Sequence, residues 1–285
     1  MAKIVRKQML NPTVTLLEVD APLIAKKARA GQFIIFRLDE YGERVPLTIA
    51  DYDREKGTVT IIFQKVGLST QLLSDLNEGD SILDFVGPLG VPTEIPEGAK
   101  RVCVIGGGVG CAIAYPQAKA LHAAGITVDV IAGFRSRDIV ILEDEFRAVS
   151  DNFYLMTDDG TYGEKGLVTQ KLQEQIDGGV AYDAVIAIGP IPMMKFVCKT
   201  TRPYGVKTIV SLNPLMIDGT GMCGCCRVTV GGKVRFACVD GPDFDGHQVD
   251  FDELMNRNAV YREREAEEKE HHACRLDQLG KSMIH

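Results

Sequence analysis

Arg101-Val102-Cys103-Val104-Ile105-Gly106-Gly107-Gly108-Val109-Gly110-Cys111-Ala112-Ile113-Ala114 passes from a continuous apolar strand through a glycine turn into a helical pattern. A strand apolar at every position is buried on both faces, as in a parallel sheet. Glycines at the turn let a backbone approach a pyrophosphate, whose charge is met by amides at the helix start. The candidate dinucleotide contacts are therefore Gly106, Gly107, Gly108, Val109 and Gly110. The spacing departs from G-x-G-x-x-G because Cys111 stands at the third glycine position, so a tight turn without a ligand is the competing reading.

Outward from this turn the alternation continues. Strand runs fall at 127–131, 153–156, 184–188 and 208–210, and helical patterns at about 111–123, 167–175 and 193–201. Strands alternating with helices predict a doubly wound α/β domain over 99–212. Gly189-Pro190 follows one of these strands. After another, Arg135-Ser136-Arg137-Asp138 offers cations for a 2′-phosphate and an acid for a plain ribose, which leaves NAD against NADP open. Asp158-Asp159-Gly160 is either a further nucleotide contact or a solvated turn.

Upstream, 1–98 reads as short alternating strands at 13–19, 32–38, 58–63 and 81–85, separated by turn signals, with one helix at 69–76 capped by Ser69. Strands at this spacing predict an antiparallel β barrel. Within it, Arg44-Val45-Pro46-Leu47-Thr48-Ile49 places a cation and a hydroxyl on one face by period-two alternation. Gly67-Leu68-Ser69-Thr70 offers amides at a helix start.

Downstream, the periodicity stops after Leu212 and a Gly/Cys segment follows over 213–250, with one hairpin at 227–230 and 234–237. Cys223, Cys226 and Cys238 stand at C-x2-C-x11-C, and Asp218 occupies the place where C-x4-C-x2-C has its first cysteine. This is a [2Fe-2S] frame with one carboxylate. A zinc knuckle completed by Asp218 or His247 is the alternative, and Cys225 reads as a bystander. Cys103, Cys111, Cys198 and Cys274 read as ordinary thiols. The stretch 251–285 is a charged helix or tail.

The net charge of −7, from 39 acidic and 32 basic residues, argues against nucleic acid and anionic lipid as partners. A composition of 45% hydrophobic and 25% charged residues excludes disordered and fibrous classes. The start Met1-Ala2-Lys3-Ile4-Val5-Arg6-Lys7 lacks the apolar core of a secretory leader, and no run has transmembrane length, so a cytoplasmic, membrane-free protein is expected.

Barrel, glycine turn and cysteine segment together resemble the ferredoxin reductase superfamily, in which an R-x-x-[ST] strand motif marks a flavin-binding barrel ahead of a nicotinamide domain. Here Arg44 stands four residues before Thr48 rather than three. The phrase 218–227, with 237–242 and Phe244-Asp245, resembles the small subunit of NADH-dependent reduced ferredoxin:NADP oxidoreductases and sulfide dehydrogenases. The electron-transfer subunits of dihydroorotate dehydrogenase are close behind; four cysteines are usual there. The resemblance implies FAD held by Arg44, Pro46, Leu47, Thr48, Ile61, Phe63, Gly67, Ser69 and Thr70. It also implies NAD(H) against Gly106 to Gly110, Arg135, Asp158, Gly189 and Pro190, and a [2Fe-2S] cluster on Asp218, Cys223, Cys226 and Cys238. No catalytic acid or base is required for hydride transfer between stacked rings. The implied partner is a larger flavoprotein with FAD and [4Fe-4S] clusters that binds NADP(H) and ferredoxin, the complex performing electron bifurcation. A zinc-stapled nucleotide-binding regulatory module is the reading from another class.

Overall fold

The computed structural model describes residues 1–261, 263, 264, 266 and 267. The expected charged tail lies mostly outside these residues, as do Cys274 and His271-His272.

Seven strands form the first sheet: β1 (Ala2–Asn11), β2 (Val14–Asp20), β3 (Phe33–Arg37), β4 (Val45–Asp53), β5 (Thr58–Gln64), β6 (Ser81–Ile82) and β7 (Asp84–Leu89), with α1 (Pro22–Ala25) and α2 (Leu68–Asp75) in the connections. Their order is β6-β1-β2-β5-β4-β3-β7, all neighbours antiparallel. The two edge strands are consecutive in the chain, so the sheet curls into a nearly closed barrel. Ile34, Phe36, Ile49, Ile61, Phe63 and Leu73 fill its interior. The run expected as one strand at 81–85 divides between β6 and β7, which belong to opposite edges of the sheet.

The second sheet holds β8 (Arg101–Gly107), β9 (Thr127–Phe134), β10 (Asn152–Thr157), β11 (Glu164–Lys165), β12 (Ala184–Ile188) and β13 (Lys207–Ser211). The C-terminal segment forms a hairpin, β14 (Arg227–Val230) with β15 (Lys233–Phe236), and then supplies β16 (Asp243–Asp245). The sheet order is β11-β10-β9-β8-β12-β13-β16, parallel except for β16, which runs antiparallel to β13. The chain winds outward from β8 to β11, then returns to β12 on the other side. The crevice at the carboxyl ends of β8 and β12 is thus the topological switch point, where α/β sheets bind ligands.

Helices cover both faces. α3 (Gly110–Ala123) and α4 (Glu143–Ala148) pack on one, and α5 (Val168–Asp177), α6 (Ile191–Thr201) and α8 (Phe251–Asn258) on the other, with the short α7 (Ala237–Asp240) in the cysteine segment. The apolar core under α3 also takes in Val14, Ala50 and Ile62 of the barrel, so α3 is held between sheet and barrel. A smaller core joins Phe33 and Ile35 of β3 and Leu89 of β7 to Met216, Cys226, Ala237 and Cys238. Among the described residues, no helix is long and apolar enough to cross a membrane.

Candidate functional site

Alternation along β4 divides its side chains between two faces. Leu47 and Ile49 turn into the barrel core, while Ala50 packs toward α3 on the outer face. Arg44, Pro46 and Thr48 share Ala50's parity. In register, Thr48 faces Phe33 and Pro46 faces Ile35 on β3, and both of those side chains point outward into the cysteine segment. One outer barrel face therefore carries α3 at one side, the cysteine segment at the other, and the Pro46-Thr48 stretch between them. Arg44 extends toward the cysteines: its Nε donates to the Ile217 carbonyl at 2.8 Å, one residue before Asp218.

The same parity rule says which part of two expected flavin contacts is offered to that face. Ile61 and Phe63 lie in the barrel interior at 0% and 2% exposure, beside Leu47, so their side chains are turned away from the outer face and only their backbone is offered to it. Ser69 is also not the cap of α2. Gly67 is, and Thr70 closes the turn: its Oγ1 accepts from the Val66 and Gly67 amides at 3.1 Å each and donates to the Gly67 carbonyl at 3.0 Å. The buried Thr70 hydroxyl is thereby committed to the turn. Ser69 instead donates to Glu43 Oε2 at 2.8 Å, which fixes the start of α2 beside Arg44. A side chain at Gly67 would meet no atom within 4 Å, so this turn is open above its backbone.

At the switch point the two glycine turns touch. A Cβ on Gly110 would lie 2.5 Å from the Ile188 carbonyl oxygen, and one on Gly189 would lie 3.1 Å from Gly107 Cα. Gly107 also backs onto Met193 and Pro190, so Met193, not anticipated from the sequence, lines the crevice with its thioether. Gly108 adopts φ +56° with nothing near its Cβ direction, leaving its face of the turn clear for a ligand. Arg135 and Asp158 lie at the same sheet edge, beyond β9 and β10, and both are exposed. Their neighbours are already engaged: Ser136 donates to Asp138 at 2.5 Å, and Arg137 sits 5.3 Å from the Tyr162 ring centroid.

The cysteine loop rests against β3 and β7. A Cβ on Gly219 would lie 2.5 Å from Ile35 Cδ1, so its φ of +81° comes with close seating on the barrel. Pro88 to Val91 line one hollow together with Gly219, Thr220, Cys238 and Val239. Cys226 and Cys238 are buried, with their Sγ atoms 3.2 Å apart. That is too far for a disulfide of about 2.05 Å. Cys223 is exposed beside Asp218, whose carboxylate accepts from the Thr220 and Met222 amides at 3.0 Å and from Thr220 Oγ1 at 2.9 and 2.8 Å. Among the described residues, no three His, Cys, Asp or Glu side chains converge on a single-metal site.

Backbone hydrogen bonds from Thr220, then the Thr220 hydroxyl and the Met222 amide, hold the Asp218 carboxyl below its usual range. Those at Cys225 and Asp218 lower the Cys223 thiol. Burial, then the adjacent Cys226, pushes Cys238 up to about 12, so a metal must displace a proton there. Burial likewise raises Cys103, Cys111 and Cys198, which fits unreactive core thiols. His247 lies past β16, hydrogen-bonded by Nε2 to the Val206 carbonyl at 3.0 Å, at the end of β13 opposite Ser211. It is thus excluded as a ligand beside the cysteines.

Residues 213–250 match the iron-sulfur cluster binding domain of dihydroorotate dehydrogenase B. The chain is 49% identical over 263 residues to the dihydroorotate dehydrogenase B (NAD(+)) electron transfer subunit homolog of Thermotoga maritima, covering 92% of each chain. It is 32% identical over 254 residues to the electron transfer subunit of Geobacillus thermodenitrificans, covering 86% of this chain and 96% of the relative. A solved structure of NADH-dependent reduced ferredoxin-NADP oxidoreductase, studied for flavin-based electron bifurcation, superposes with a TM-score of 0.90 at 46% identity. That match covers 96% of this chain and 98% of its counterpart.

Proposed function

The chain belongs to the family of dihydroorotate dehydrogenase B electron transfer subunits, and from that premise we propose that it exchanges a hydride between NAD(H) and FAD. It then passes single electrons through a [2Fe-2S] cluster to a larger flavoprotein partner. The observation that carries this reading is the order on one barrel face: nucleotide helix α3, then the Pro46-Thr48 stretch, then the cysteine loop.

The donor sets suit these groups. A two-iron cluster takes two protein ligands on each iron. The buried Cys226–Cys238 pair and the adjacent Asp218–Cys223 pair supply them as two twos, whereas a zinc knuckle needs four on one point. Thr48 and Pro46 would face a flavin on the outer surface, and the open turn at Gly67 with the Ser69 amide at the helix start would meet its pyrophosphate. Bound there, a flavin converts between two-electron and one-electron chemistry. The protein's part is to orient and to exclude. The touching glycine turns present a nicotinamide from the crevice, Met193 and Pro190 wall it, and Arg44 ties the flavin strand to the residue before Asp218.

Met222, Ile217 and Val239 are exposed around the cysteine loop, which suits electron exit to a protein partner rather than to solvent. The 46% identity over nearly the whole chain to the ferredoxin-NADP oxidoreductase, with Asp218 in place of a fourth cysteine, favours a partner that handles NADP(H) and ferredoxin. Such a partner would carry FAD and [4Fe-4S] clusters, and bifurcation would belong to the complex. Purified anaerobically, the chain is expected to carry flavin and iron-sulfur absorption bands. A colourless, iron-free, zinc-containing protein after reconstitution would overturn the reading. Co-purification with a dihydroorotate dehydrogenase instead would keep the chemistry and replace the partner.

A further inference from the structure

Between the barrel, α3 and the cysteine segment lies a half-buried polar chain that the proposed reaction does not use. Gln117 of α3 donates from Nε2 to Thr93 Oγ1, and Thr93 Oγ1 donates to Asp243 Oδ2 at 2.5 Å. The other oxygen, Asp243 Oδ1, is enclosed without a hydrogen-bond partner among the described residues. Enclosing a carboxylate oxygen without a protein hydrogen-bond partner is costly, and here it coincides with a junction of three parts of the fold.

The place is where three parts of the fold meet. Thr93 follows the barrel exit, Gln117 stands two turns into the helix that begins at the glycine turn, and Asp243 opens β16, five residues after Cys238. Backbone bonds converge around it. Thr93 N donates to the Ala30 carbonyl at 3.1 Å, Val91 N to the Gly241 carbonyl at 2.7 Å and Leu212 N to the Pro242 carbonyl at 2.9 Å. Gln32 Nε2 adds a bond to the Gly90 carbonyl at 2.9 Å. The strand end that carries these bonds, Gly90 with Val91, also lines the hollow against Cys238 and Gly219. Movement of this exit therefore moves the cysteine loop against the outer barrel face.

We infer that Asp243 is a positioning residue: through Thr93 and Gln117 it locks the cysteine segment and the nucleotide helix onto one barrel exit, and so sets the gap that electrons cross between flavin and cluster. This rests on the proposed function for what crosses the gap, but not for the lock itself. Asn at 243 keeps an oxygen to accept from Thr93; Ala removes it.

Two measurements on the full chain test it. Hydrogen exchange of the Val91, Thr93 and Leu212 amides, read without NADH, is expected to quicken about ten-fold or more in Asp243→Ala and to stay near wild type in Asp243→Asn. Rapid mixing with NADH is expected to bleach flavin within about two-fold of wild type in both variants. Cluster reduction should slow severalfold in Asp243→Ala alone, because the barrel exit that seats the cysteine loop is released. If Asp243→Ala does not fold, Thr93→Val breaks the same chain at its middle and is expected to give the same pair of results. Wild-type exchange in the Ala or Val variant, or equal slowing of flavin and cluster, would overturn the lock. Failure of the wild-type flavin to bleach with NADH would instead overturn the proposed function, and the exchange result would still decide the lock.

Discussion

The two ends of the parallel sheet are built from the same strands and treat polar groups in opposite ways. At the amino end Asp129 is fully buried, and every neighbour answers it: Arg101 at 2.8 and 3.1 Å, Tyr182 at 2.7 Å and Asn152 at 2.8 Å. At the carboxyl end the glycine turns are bare, Arg135 and Asp158 are exposed, and Asp243 keeps an unpaired oxygen. The closed end holds the sheet together. The open end leaves the backbone of the glycine turns and the exposed Arg135 and Asp158 free for something to bind, and the cysteine segment joins the sheet on that side, where β16 begins at Asp243.

Breaking the closed end should cost most. Asp129→Ala strands Arg101, Tyr182 and Asn152, and a stability loss of about 3–5 kcal/mol is expected in urea titration, with NAD(H) affinity of the folded fraction unchanged. Changed affinity with intact stability would reverse the roles of the two ends. Next, Gly110→Ala pushes a Cβ against the Ile188 carbonyl, which cannot give as a flexible side chain can. It should weaken NAD(H) binding about ten-fold or more by calorimetry, with a stability loss of about 1–3 kcal/mol.

A pH slope separates the ends further. Burial raises Asp243 from 3.8 to about 6, partly opposed by the Thr93 hydroxyl. Between those values the folded chain holds a proton that the unfolded chain has lost. Stability from this group therefore falls as pH rises from about 4 through 6, and Asp243→Asn should remove that slope in unfolding measured across the window. Persistence of the same slope in the variant would move the titration elsewhere. The smallest effect is expected at Cys225: Cys225→Ser should leave iron per chain unchanged, while Cys226→Ser should lose it, by metal analysis after anaerobic reconstitution.

Much of this contrast is readable in the residues. The apolar run before Gly106 and the cysteine intervals are local patterns, and each reports its own chemistry. Alternation placed Arg44 and Thr48 on one face for the same reason. It could not say which parity of β5 faces inward, because Ile61, Ile62 and Phe63 are all buried, against two different cores. The cap of α2 fell on Gly67 because the Thr70 hydroxyl reaches back across the turn, a choice invisible in a Gly-Leu-Ser-Thr string. The Gln117-Thr93-Asp243 chain joins residues 24 and 150 positions apart, and the pairing of β16 with β13 is likewise long-range; no local periodicity encodes either.

The central claim is the order of nucleotide, flavin and cluster across one barrel face. Rapid mixing of the anaerobic holoprotein with NADH, followed by flavin absorbance and freeze-quenched electron paramagnetic resonance, tests it directly. Flavin bleaching is expected to precede the cluster signal, and the cluster is expected to be reduced only in chains that hold flavin. A cluster reduced by NADH in flavin-depleted protein would contradict it.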